Sequence, residues 1–338
     1  MKIFKTVLII IVSILFSMEI STEVNSQKNL TSSKLRTRIT IIDGKWYLNG
    51  KITYSGAKAE GLLMNVRMVN SIFEDLNNKQ FDSDENLNNF ILKIPDYIRY
   101  GIRAFTICLQ GGFPGYEGAV NSAFTPDGRL REGYLKRAEK VIRVCDKLDA
   151  AVILGCYYQR QDQMLEDENA VKNGVINVVN WINESGFKNV LLEIANEYPH
   201  QGFDHDIIKN PEGIAELIRI AHQTYPSILV SASGMGNGKL DHEVAVESDF
   251  LLIHFNSTPE EIIPSRIEAL RKYGKPIVCN EDDKGEEEAV KAVEVSVNNG
   301  CSWGLMLNDL NQYSPFRFYG YDDSPAIYNK IKELTNVE

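Results

Sequence analysis

The chain is short of positive charge, of cysteine and of membrane-length apolar runs. It carries 36 Lys and Arg against 46 Asp and Glu, a formal net charge of −10. Binding to phosphates needs clustered Lys and Arg, so this balance argues against a nucleic-acid partner and fits a neutral substrate. There is no basic arm and no acidic tail. The five cysteines are Cys108, Cys145, Cys156, Cys279 and Cys301. Their spacing matches no zinc site, and an odd count leaves at least one thiol unpaired in a monomer. Most lie in apolar runs and read as buried free thiols. A Cys108–Cys156 disulfide is the alternative, though nothing in the spacing calls for it.

No apolar run reaches the roughly 20 residues of a membrane span. The most apolar stretch, from about Val7 to Phe16, follows Lys2 and Lys5. A basic head before a short apolar core reads as a secretory signal, with an uncleaved anchor as the alternative. Residues 1–26 are therefore expected to be signal and lead-in, and Ser21 to Ser33 is polar. The mature N-terminus should fall between about residues 18 and 34, given signal lengths of roughly 15–30. The expected location is the periplasm or the cell exterior. No cysteine follows the apolar run, which speaks against a lipid anchor.

Residues 38–338 read as a single domain, long enough for a barrel of roughly 250 residues or more. From Arg38 to Tyr54 the turn signals Asp43-Gly44 and Asn49-Gly50 separate β-rich runs, predicting a small hairpin element. Its Trp46 reads as a packing residue. Eight short apolar runs follow, at Gly61–Val66, Ala104–Leu109, Ala150–Tyr157, Val190–Ala195, Ile228–Ala232, Phe250–His254, Pro276–Cys279 and Ser302–Leu307. Near-continuous apolar character is expected of parallel strands buried on both faces. Segments of helical period lie between them, among them Tyr134–Leu148, Ala170–Ser185, Gly213–Tyr225, Pro259–Tyr273 and Glu286–Asn299. Pro211 and the Thr258-Pro259-Glu260-Glu261 segment read as helix starts. This alternation predicts an α/β fold, a (β/α)8 TIM barrel with the N-terminal hairpin attached. An open doubly wound sheet is the fallback, although no Gly-x-Gly-x-x-Gly follows the first strand. The connections Gln110–Arg131 and Tyr198–Asn210 are long, and in a barrel they lie at the C-terminal face, where active sites form.

Two segments carry chemistry. NVLLEIANEYP (Asn189–Pro199) and KPIVCNEDD (Lys275–Asp283) each run a buried strand into Asn-Glu. Alternation places Glu193, Ala195 and Glu197 on one side of the first. The glutamates are 281 − 197 = 84 residues apart, three strand–helix units of 28, which makes them the ends of strands four and seven. Two carboxyls at a barrel mouth suit glycoside hydrolysis: one protonates the leaving oxygen, the other attacks the anomeric carbon or activates water. Burial and the neighbouring carboxylate are expected to raise the pKa of whichever glutamate serves as the acid. Helix-capping or salt-bridging glutamates are the bland alternative.

These Ala195–Glu197 and Cys279–Glu281 motifs resemble clan A of the glycoside hydrolases, the cellulase-like and mannanase-like barrels. The resemblance covers about Gly61 to Lys330. It implies a retaining glycosidase without a cofactor, acting on a poly- or oligosaccharide, with Glu197 as acid/base and Glu281 as nucleophile. It also implies substrate-binding roles for Asn196, for His254 on strand six, for Trp303 on strand eight as a sugar platform, and for Arg67 as a brace for the nucleophile. Many relatives have a tyrosine two residues beyond the strand-six histidine, where this chain has Asn256. His254 and Trp303 could equally be core residues. Tyr157 and Tyr158 end strand three, and one of them should face the cavity; Tyr157 is the candidate taken forward. Gln110, with Phe113, Tyr116 and Glu117, could line sugar subsites or hold the second loop shut. A metal at His200, His205, Asp204 and Asp206 matches no helix-borne ligand pattern, and no metal is expected. The rival readings are a non-catalytic carbohydrate-binding barrel, disfavoured because both glutamates are present, and a different barrel hydrolase or lyase. For the latter, no strand-borne lysine suits a Schiff base.

Overall fold

The computed structural model describes residues 35–336, so the signal segment lies outside the described residues. The chain opens with three short antiparallel strands, β1 (Ile39–Ile42), β2 (Lys45–Leu48) and β3 (Lys51–Ile52). Asp43-Gly44 and Asn49-Gly50 both take left-handed φ, 50° and 71°, then 53° and 75°. Two-residue turns with positive φ at both positions match the twist of a hairpin, and Asn-Gly and Asp-Gly adopt them at least cost. The expected hairpin is thus extended by a third strand. Trp46 is fully buried and meets Phe250 edge to face at 5.5 Å. With Ile39 and Leu48 it joins a core that includes Ala104, Leu191, Leu252 and Val278, residues at or near the starts of the parallel strands. The meander therefore covers the N-terminal end of the sheet.

Eight strand–helix units follow. β4 (Asn65–Arg67), β5 (Ala104–Cys108), β6 (Ala151–Tyr157), β7 (Val190–Ala195) and β8 (Leu229–Ser231) form a parallel sheet. β9 (Leu251–His254), β10 (Ile277–Glu281) and β11 (Cys301–Ser302) form a second parallel sheet, and β12 (Gly304–Leu305) pairs with β4 at the free edge of the first. Isolated parallel bridges, Ser233 to Leu252 and Asp282 to Leu305, connect the two sheets. The expected first strand at Gly61–Val66 begins later, because Gly61 takes φ 79° in a turn. The expected eighth strand is split at Trp303, giving β11 and β12.

The helices are α1 (Ser83–Arg99), α2 (Glu132–Lys147), α3 (Glu168–Glu184), α4 (Asp206–Lys209), α5 (Pro211–Thr224), α6 (His242–Glu247), α7 (Ile263–Leu270), α8 (Glu286–Asn298) and α9 (Pro325–Thr335). Each longer helix buries one stripe; in α2 it is Tyr134, Ala138, Val141, Ile142 and Cys145, at helical spacing. Asp82 caps α1 by accepting from the amides of Asp84 and Glu85. α5 starts at Pro211 as the sequence indicates, whereas α7 starts at Ile263 with Pro264 in its first turn, four residues later than Pro259 suggests. All five cysteines are buried free thiols, so Cys108 and Cys156 are not bonded. Among the described residues no helix is long and apolar enough to cross a membrane.

Candidate active site

The C-terminal ends of the parallel strands gather the charged residues of the core. Glu281 is the last residue of β10, and Glu197 lies two residues beyond β7. Glu197 takes a left-handed φ of 47°, uncommon for a non-glycine residue. Its amide donates to Ser233 Oγ at 3.0 Å, which holds this turn against the end of β8. Side-chain exposure is 12% for Glu197 and 4% for Glu281. One carboxylate oxygen from each glutamate and a ring nitrogen of His254 lie within 4.8 Å of one another.

Arg67 ends β4 and is fully buried beneath the pair. Its Nε approaches Glu281 Oε2 at 2.6 Å, a charge contact off the line of an ideal hydrogen bond. Its Nη1 reaches Glu193 Oε2 at 3.4 Å, and its Nη2 donates to Asn196 Oδ1. One guanidinium thus ties both strand ends together. The surrounding carboxylates hold it firmly protonated despite burial. Glu281 Oε1 also accepts from Asn256 Nδ2 at 2.6 Å. A side-chain amide at position 256 therefore holds Glu281.

His254 ends β9, is fully buried and directs Nδ1 at Glu197 Oε1, 3.2 Å away. Glu281 Oε1 is 3.7 Å from the same nitrogen. Burial pushes the His254 pKa down, but Glu281 and Glu197 outweigh it, and the net shift is upward. For Glu197, burial pushes upward. The hydrogen bond and charge of His254, helped by Arg67 and His200, outweigh it, and the carboxyl sits below its usual value. The direction is thus opposite to the sequence expectation of a raised Glu197, because strand six supplies His254 in contact with it.

Glu197, His254 and Glu281 could in principle ligate a metal. Arg67 fills one side of Glu281 with a fixed positive charge, and His254 is held toward its protonated form, which cannot coordinate. The fixed charge of Arg67 against Glu281 opposes a divalent ion there. In the fourth loop, His205 Nδ1 pairs with buried Asp162 at 2.8 Å and His200 Nδ1 accepts from the Gly202 amide at 2.9 Å, so these side chains brace the loop.

Three expected site residues lie elsewhere. Tyr157 points outward: its hydroxyl donates to Val171 O at 2.5 Å and its ring packs on Phe124. Strand alternation instead turns Tyr158 inward, where burial and then the charge of Glu281 push its phenol pKa up. Gln110 is fully buried and bonds Ser122, Gln161 O and the Tyr158 amide, holding the second loop closed. Trp303 is fully buried and donates its indole N–H to Asp282 Oδ2 at 2.9 Å, so no ring face is open to a sugar. Sequence reasoning gave no site role to Glu193 and left Asn256 only as a departure from the family pattern. The Glu193 signal was its place four residues before Glu197 on the same strand side.

No family profile and no curated protein sequence matches the chain. Solved structures do. A Bacteroides vulgatus protein provisionally assigned as a glycoside hydrolase superposes with a TM-score of 0.63 at 11% identity, over 89% of this chain; the present chain spans 61% of that protein. A glycoside hydrolase family 5 mannosidase from Rhizomucor miehei gives 0.60 at 13% identity, over 90% of this chain and 99% of the other. A broad-specificity endoglucanase from Clostridium longisporum gives 0.57 at 12% identity, over 84% and 99%. The resemblance to clan A carried by the two Asn-Glu motifs extends to the fold, for the strands and helices of this chain are arranged as in glycoside hydrolases of family 5.

Proposed function

We propose that the protein is a retaining glycoside hydrolase on a closed (β/α)8 barrel, acting outside the cytoplasm on a poly- or oligosaccharide. Closure is supported by the two bridges that join the parallel sheets edge to edge. The reaction is carried by one observation: oxygens of Glu197 and Glu281 stand within 4.8 Å of each other. Retaining glycosidases hold their carboxyls about 5–5.5 Å apart, and inverting ones about 6.5–9.5 Å to admit a water.

In this reading Glu281, held by Arg67 and Asn256, attacks the anomeric carbon. The bond to the leaving oxygen breaks as Glu197 gives that oxygen a proton. Water then attacks the glycosyl-enzyme ester, Glu197 takes the water's proton, and Glu281 is released. In this mechanism Glu197 starts ionised beside His254, whose Nδ1 stands 3.2 Å from Glu197 Oε1 and can pass a proton to it. The pair therefore holds one proton that can move onto Glu197 as the leaving group arrives. In this reading Asn196, next to Glu197, would meet the sugar's 2-hydroxyl through Nδ2, which reaches Gln159 Oε1 at 3.1 Å. The mechanism needs no cofactor.

The substrates named for the fold neighbours, glucans and mannosides, set the first panel to test. NMR of the first-formed anomer is the decisive measurement. The retained anomer is expected, with a fluorosugar inactivator on Glu281; an inverted first product would overturn the assignment. Export predicts a secreted form starting between about residues 18 and 34; an intact Met1 on soluble cytoplasmic protein would refute it.

A further inference from the structure

The height of the rim decides which part of a glycan can reach the two glutamates. On the C-terminal side the connections after β4, β5 and β12 run over residues 68–82, 109–131 and 306–324. Those after β9 and β10 are only 255–262 and 282–285. The three long connections belong to adjacent strands, since β12 pairs with β4 and β4 with β5. They therefore stack on one side of the mouth; of the strands facing them, β8 carries only residues 232–241 before its helix, while β7 carries 196–210 around the short α4.

The long connections are also bound to one another. Asn70, fully buried after β4, donates from Nδ2 to both Gly112 O (3.2 Å) and Gln312 O (2.7 Å). The Ser314 amide donates to Pro114 O at 2.8 Å. Phe113 and Tyr313 meet edge to face at 6.4 Å. This wall stands directly against the site: a Cβ at Gly112 would lie 3.3 Å from the hydroxyl of Tyr158, the tyrosine turned inward beside the catalytic pair. The low exposure of both glutamates agrees with a pocket closed on this side.

We propose that the cleft is blind on the β12–β4–β5 side, and that the enzyme takes glycan ends and short oligosaccharides rather than the interior of a long chain. This rests on the glycosidase reading above. A polymer crossing an open groove leaves past both rims. Here one direction runs into backbone held by buried Asn70, so a chain can enter only with an end leading.

The test has two arms. In the first, soluble β-glucan and β-mannan are followed by viscosity and by reducing ends together. The expected result is reducing sugar released as one short product, with viscosity falling slowly; an early viscosity collapse with products of mixed length would overturn the inference. The double variant Phe113→Ala, Tyr313→Ala, checked for folding by circular dichroism, should gain internal cleavage severalfold, and an unchanged product pattern would count against the wall. The second arm does not depend on turnover. Glu281→Gln is titrated calorimetrically with cello- and manno-oligosaccharides carrying a bulky aryl cap on one end or the other. Capping one end should abolish binding and capping the other should not; equal binding of both forms would overturn the blind cleft. Failure of every oligosaccharide to bind or be cleaved would instead remove the glycosidase reading itself.

Discussion

Glu197 Oε1 and His254 Nδ1 stand 3.2 Å apart, close enough to share a proton, and this sets the expected pH dependence. The His254 pKa is raised above the ordinary histidine value of about 6.5, so its charged form persists to higher pH than a free imidazole's and is lost as pH passes the raised value. Glu197 is lowered and by itself would be ionised at neutral pH. The pair therefore keeps its last proton until the pH passes the raised His254 value, and the alkaline limb of kcat/KM should fall above about 6.5. His254→Asn should move that limb to lower pH, since Glu197 must then hold its proton alone. A limb that stays in place would show that the two do not titrate together. Asn256 offers a second test. Removing a hydrogen bond to a charged group costs about 1.5–3 kcal/mol, so Asn256→Ala should lower kcat/KM roughly ten- to a hundredfold. Its rate of labelling by a fluorosugar should fall in parallel. Glu197→Ala should regain turnover with added azide, which needs no general base, and yield a glycosyl azide of retained configuration.

The two Asn-Glu pairs were legible because each ends an apolar strand, and the C-terminal ends of neighbouring parallel strands lie at one face. The finer placements were not, since they depend on which way a strand residue turns. Tyr157 and Tyr158 are chemically alike and adjacent, and only the observed register sends the first to Val171 and the second inward. Trp303 looked like a platform because it sits on the right strand. The strand breaks at that residue and buries the ring against Asp282.

At the level of elements, patterning located most of the structure and missed boundaries where one residue overrides it. The positive-φ turns Asp43-Gly44 and Asn49-Gly50 announced the meander. α1 falls within the expected alternation but its bounds were not located, and it carries an internal proline, Pro95, that weakens a helical signal. What the sequence did not show is that the meander covers the base of the parallel sheet. Trp46 fills that junction against Phe250 with no exposure. Trp46→Ala should cost about 3–5 kcal/mol, read from denaturant unfolding, because the rigid strand starts around it cannot collapse into the void. Activity per folded molecule should be unchanged, since Glu197 and Glu281 lie at the other end of the strands. Loss of activity without loss of stability would contradict this division between base and mouth.

For the molecule as a whole, the weak point of the sheet lies between β8 and β9. Neighbouring strands β5, β6 and β7 pair over most of their length, with five register partners across each of their two junctions. The β8–β9 junction has a single bridge, Ser233 to Leu252. Asp249 compensates: its amide donates to Val230 O at 2.9 Å, and its Oδ2 accepts from the Val230 amide at 2.8 Å and contacts His222 Nε2 at 3.0 Å. The hydrogen bond from Asp249 is the largest cause raising the His222 pKa, ahead of the opposing effect of burial. A raised histidine contributes stability that is complete below its unfolded value near 6.5 and fades as pH climbs through the folded value. Amide exchange should therefore be slowest in β5–β7 and fastest, among the parallel strands, at Val230 and Leu252. The gap should widen as pH rises from about 6 to 9, after correction for intrinsic exchange, as the His222 contribution is lost. Asp249→Ala strips the Val230 amide of its partner, for which the expected cost is about 1–3 kcal/mol, and it should abolish that pH dependence. Uniform protection around all the strands, or a pH response that survives Asp249→Ala, would place the control of this junction elsewhere.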